Sequence, residues 1–78
     1  MSRREKLLQK LKQSPNNVTF ADVAKLLESE SFRLDRVTGS HHIFKKDDII
    51  FVLPVHQNRV KAVYLKRVIE IIEKYGRT

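Results

Sequence analysis

Residues 41–55 read HHIFKKDDIIFVLPV, two strand-like runs on either side of the polar pair Asp47-Asp48. No other stretch restricts the fold as much. Runs rich in β-branched and aromatic residues around a two-residue polar break signal a β-hairpin, although Asp-Asp is a weaker turn than Asp-Gly. If the loop is Asp47-Asp48, Lys46 pairs with Ile49, Phe44 with Phe51 and His41 with Pro54. Residues directly opposite share a face, so His56 extrapolates to a diagonal position on the His41 side, while His42 points the other way. A loop longer or shorter by one residue would exchange the two histidines. Pro54 donates no ladder hydrogen bond and is expected at a strand end or edge.

The flanks of the hairpin change period. Upstream, FRLDRV alternates for its first half and then breaks phase at Asp35 to Val37; it is read as a strand, and Thr38-Gly39-Ser40 then turns the chain. Before it, VTFADVAKLLESES has Thr19 as N-cap, Asp22 three residues later, and Val18 and Val23 spaced for a hydrophobic staple. Val23, Leu26 and Leu27 supply the buried stripe of this helix. At the N-terminus, SRREKLLQKLKQ pairs Ser2 with Glu5 at capping-box spacing and puts Leu7, Leu8 and Leu11 on one stripe, predicting a helix that ends by Gln13 before the turn Ser14-Pro15-Asn16-Asn17. Downstream, HQNRV leaves the sheet and KAVYLKRVIEIIEKY forms a helix with Ala62, Leu65, Val68, Ile69 and Ile72 on one face, ended by Gly76. The expected architecture is α+β: an N-terminal helix and turn over 1–17, then an α-β-β-β-α domain over 18–78. Its three-stranded antiparallel sheet is covered by helices on one face and open on the other.

Composition narrows the function. A chain of 78 residues supports one compact core, and the absence of cysteine removes disulfides and thiolate metal sites, pointing to a reducing cytoplasm. No apolar run is long enough to span a membrane or to act as a signal region, so a soluble, unexported protein is expected. Sixteen Lys and Arg against nine Asp and Glu give a net charge of +7, which favours polyanionic partners, nucleic acid first.

Cleaving RNA without a metal requires a base for the 2′-hydroxyl, an acid for the leaving 5′-oxygen and cations near the phosphate. Histidine suits both proton-transfer roles, its side chain titrating at roughly pH 6.5. The candidates are His41, with His42 and His56 in reserve. Gly39 and Ser40 offer backbone N–H groups and a hydroxyl beside His41, and Lys45, Lys46, Arg59, Lys61, Lys66 and Arg67 complete the candidate RNA-binding set. Each has a plainer reading: a histidine at a strand end is commonly just solvated, Gly-Ser also suits a simple turn, and a basic helix face is often only hydrated. Zinc is disfavoured, since His41 and His42 face opposite ways and no cysteine or nearby carboxylate completes a site. Asp47-Asp48 is explained by turn chemistry. No cofactor is expected.

The string RVTGSHHIFKK, followed by VLPVH and the helix VYLKRVIEII, resembles the HicA (YcfA-like) toxins, small mRNA interferases of bacterial and archaeal toxin–antitoxin pairs. The resemblance covers roughly residues 20 to 75. It implies a fold like the double-stranded-RNA-binding domain, metal-independent cleavage of mRNA, and neutralisation by a HicB antitoxin. Gly39-Ser40-His41 matches the family's glycine-serine-histidine signature, so His41 corresponds to the catalytic histidine. Some members have Gly-Ser-x-His, which keeps His42 in reserve, and Pro54-Val55-His56 resembles the proline-histidine segment. Two departures stand out. The family often has glycine where this chain has Ser31, which implies a helix ending without that cap, and the first nineteen residues exceed the minimal toxin. A non-catalytic RNA-binding module of the same fold is the alternative, and an adaptor for an acidic protein is a third.

Overall fold

The structure is a computed structural model, and it describes residues 3–75. In chain order it comprises α1 (Arg3–Gln13), β1 (Val18–Thr19), α2 (Phe20–Ser29), β2 (Arg33–Thr38), β3 (His41–Lys46), β4 (Ile49–Pro54), β5 (Arg59–Val60) and α3 (Ala62–Tyr75). Ser2 and Gly76, the expected cap and stop of the terminal helices, lie outside the described residues.

The antiparallel sheet β2-β3-β4 follows chain order, and its second hairpin has the expected register: His41 opposite Pro54, Phe44 opposite Phe51, Lys46 opposite Ile49. Pro54 is the last residue of an edge strand, where its missing N–H breaks no ladder. The phase break in FRLDRV is a bulge: Leu34 pairs with Phe44 and Arg36 with Ile43, leaving Asp35 as the extra residue. Thr38 pairs with His41 across Gly39-Ser40, and Gly39 takes φ 59° at the first central position, the pattern of a type II′ hairpin turn.

HQNRV does leave this sheet, but it builds a second ladder. His56 bridges Arg59 around Gln57 and Asn58, both at positive φ, and β5 then pairs with β1. No local pattern announces a strand of two residues whose partner lies about forty positions away in the chain. The ladder also serves α2, because the Asn58 carbonyl accepts the Phe20 N–H at 2.8 Å, satisfying one of the helix's orphan donors.

Thr19 caps α2 as its sequence predicts, its hydroxyl accepting the Asp22 N–H at 3.3 Å. The other end differs from expectation. Ser31 takes φ 71°, its N–H reaches the Glu28 carbonyl and the Phe32 N–H reaches that of Leu27, both at 3.0 Å. These two bonds make a Schellman cap, with Phe32 and Leu27 both buried. The helix therefore keeps the stop that a glycine would provide, with a serine in the left-handed position.

Phe44, Phe51 and Leu53 from the sheet, Val23, Leu26 and Leu27 from α2, and Leu65, Val68 and Ile72 from α3 form one core. Leu11 of α1 is buried in that same cluster. Arg4 pairs with Glu30, Lys10 with Asp22 and Lys12 with Glu73, so α1 is tied to both other helices. The two exposed lysine pairs contribute at most about 1 kcal/mol each, whereas burying Leu11 contributes roughly 1.5–3 kcal/mol. Packing of Leu11 and ion pairs to both other helices together hold α1 in place.

Candidate functional site

Alternation along β3 separates the paired histidines. His41, Ile43 and Lys45 stand on one face of the sheet; His42, Phe44 and Lys46 stand on the other, towards the helices. The first face is open. Val52 and Ile50 across the ladder remain 44% and 62% exposed, in contrast to buried Phe51 and Leu53 beside them on β4.

His41 is exposed at the mouth of the hairpin, between Thr38 on β2 and Pro54 on β4. The Gly39-Ser40 turn precedes it directly. Beyond Pro54 the ladder gives one more bond, Val55 N–H to the Ser40 carbonyl at 2.8 Å, which fixes the turn against the end of β4. Gly39 has open space where a Cβ would sit, so its positive φ rather than crowding favours glycine there.

Of the cations, Lys45 shares the face of His41 but lies four residues along the strand, about 13 Å away. Arg36 is nearer. It pairs with Ile43, which puts it diagonal to His41 at a Cα separation of about 7–8 Å. Asp35 stands between the two cations, 3.6 Å from Lys45 and 4.0 Å from Arg36, in exposed contacts that restrain them weakly. Arg36 is the residue that sequence reasoning missed. Without the bulge, strict alternation from Leu34 would turn it to the helix face. The signal was present in the broken phase of FRLDRV, but a break does not tell which residue is the extra one.

The remaining candidates are dispersed. Lys46 faces the helices, with its ammonium 5.7 Å from the centre of the Phe32 ring. Arg59 bonds Asn17 Oδ1 at 2.7 Å, and Lys61 precedes α3, its carbonyl accepting the N–H groups of Tyr64 and Leu65. Lys66 and Arg67 are both exposed but border different grooves, Lys66 with Leu11 and Glu73, Arg67 with Phe51 and Ile71. The α1–α3 groove, about 460 Å³ and floored by Leu11, Ala62, Leu65 and Ile69, contains none of the histidines.

His56 lies beyond the end of β4 rather than in the strand from which its position was extrapolated. The strand stops at Pro54, His56 pairs with Arg59, and no hydrogen bond links it to His41 among the described residues. His42 is half-buried, its ring 4.5 Å from that of Phe20 and its Nδ1 3.3 Å from the Ser40 carbonyl. Among the described residues no three His, Asp or Glu side chains gather where they could hold a metal ion, and no helix is long and apolar enough to cross a membrane.

One exposed histidine, next to a glycine-containing turn and on an uncovered sheet face with the cations Arg33, Arg36 and Lys45, is suited to proton transfer beside a bound anion. The family described as HicA toxin of bacterial toxin-antitoxin matches residues 20–74. No curated protein and no solved structure matches the chain.

Proposed function

Because the chain belongs to the HicA family of bacterial toxin–antitoxin toxins, we propose that it is an endoribonuclease that cleaves mRNA without a metal ion, with His41 moving the proton. The observation that carries this reading is the placement of His41, exposed beside the Gly39-Ser40 turn with Arg36 diagonal to it on the same face. The fold serves as a variant of the double-stranded-RNA-binding domain, and the protein acts in the cytoplasm, where its substrate is. A HicB-type antitoxin neutralises it.

In the reaction, the 2′-oxygen attacks the adjacent phosphorus, the bond from phosphorus to the 5′-oxygen breaks, and the products are a 2′,3′-cyclic phosphate and a free 5′-hydroxyl. The proton of the 2′-hydroxyl goes to a base and the leaving 5′-oxygen receives one. An imidazole performs either transfer at near-neutral pH, a contribution of about 10²–10⁴-fold. Charge on the phosphate oxygens grows along the way. Arg36 and the backbone N–H groups of the turn are the donors nearest to meet it, while Lys45, farther along the strand, suits a neighbouring phosphate.

The test is incubation of the protein with a plain mRNA in EDTA, beside a His41→Ala variant shown by thermal unfolding to be folded. The parent is expected to leave cyclic-phosphate ends and the variant to lose at least about 10²-fold in rate. Equal cleavage by both would remove His41 from the chemistry. RNA that is bound but never cut by the parent would favour the binding-module reading.

A further inference from the structure

The carbonyl of Ser40 is a junction. It accepts the Val55 N–H at 2.8 Å, and His42 Nδ1 stands 3.3 Å from it. A carbonyl oxygen can only accept, so a hydrogen bond at that position requires Nδ1 to carry the hydrogen. Donation to this carbonyl by neutral His42 calls for the Nδ1–H tautomer, the minor form of a free imidazole. Its ring is packed at 4.5 Å, tilted by 50°, against Phe20, the first residue of α2, and Phe20 in turn packs 6.2 Å from Phe44 in the core.

His42 thus connects the Gly39-Ser40 turn to the core at the start of α2, and His41 is the one residue between Ser40 and His42. Both of its neighbours are fixed from the helix side of the sheet while its own side chain is exposed on the other. We propose that His42 is a positioning residue for His41: its Nδ1–H on the Ser40 carbonyl and its ring on Phe20 hold the turn so that His41 is aimed at the scissile phosphate. This rests on the reading of His41 as the proton-transfer group. An apolar ring at position 42 would pack on Phe20 equally well but would leave Ser40 without its second donor. The pattern in which one histidine reacts and the next one orients it gives the adjacent pair two separate tasks.

Two measurements test this. The first is the ring nitrogen spectrum of His42 in the folded protein, above the pH at which it is protonated. The Nδ1–H tautomer is expected, and an Nε2–H tautomer would overturn the proposal whether or not the protein cleaves RNA. The second compares His42→Phe, which keeps a ring for Phe20, with His42→Asn, whose amide can donate from near the Nδ1 position. His42→Phe should lower kcat by about tenfold to a hundredfold with KM nearly unchanged, as misplacement of a reacting group does. His42→Asn should restore most of kcat. Full activity in the phenylalanine variant would reduce His42 to packing, and loss in both variants as deep as in His41→Ala would make His42 the reacting group. A parent that cuts no RNA would sink the function itself, and the positioning role with it, while the tautomer would still report the hydrogen bond.

Discussion

At Ser31 the backbone takes φ 71°, a conformation that costs a residue with a Cβ about 1–2 kcal/mol. The surrounding contacts impose it. Two capping bonds and the burial of Phe32 against the core are lost if the chain turns differently. Ser31→Gly should therefore stabilise the fold by about 0.5–1 kcal/mol, after allowing for the looser unfolded chain, and raise Tm by about 2–8 °C in thermal unfolding. An unchanged or lower Tm would mean that the serine is not strained there. The adjacent histidines show the same dependence on backbone geometry. Identical side chains one residue apart meet solvent and Phe20, respectively, because successive strand residues point to opposite faces.

Among the elements, α1 lies outside the matched segment 20–74 yet contributes a buried leucine to the core. Leu11→Ala should cost about 2–5 kcal/mol, a large share of the stability of a domain this small, and lower the urea midpoint without changing the RNA products. A negligible shift would show that α1 only rests on the surface. The β2-β3-β4 meander has its own logic. The Asp47-Asp48 loop sets which residues are opposite in one hairpin, and Gly39-Ser40 sets them in the other. The bulge at Asp35 then decides which of the β2 arginines approach His41, bringing Arg36 to its face.

For the molecule as a whole, a charge of +7 meets an asymmetric sheet, whose helix side is buried at Phe44, Phe51 and Leu53 of β3 and β4 and whose other side is open, while edge strand β2 stays exposed throughout. If RNA lies across the open face and contacts three or more cations there, log K against log salt should fall with a slope of about −2 or steeper. A flat dependence would leave the excess charge without a role in binding. Exposed Ile50 and Val52 on that face are apolar surface that RNA phosphates do not need, and they suit contact with a protein.

The sequence by itself determined the principal elements, the hairpin register and the opposite facing of His41 and His42. These are local matters: apolar periodicity, N-capping by Thr19 and a two-residue loop act through neighbours in the chain. The family relation was legible too, in Gly39-Ser40-His41 and the segments that follow it. Tertiary structure alone decided the β1–β5 ladder, the serine in the left-handed cap, the approach of Arg36 and the pairing of His56 with Arg59. The ladder depends on partners distant in the chain and Arg36 on a single extra residue in a strand, while the Ser31 cap closes through nearby Glu28 and Leu27 but is held by the burial of Phe32 in the core. Such contacts gain their free energy when the whole core closes, so a local pattern records them at most in part, as the broken phase of FRLDRV marks a bulge without naming its extra residue.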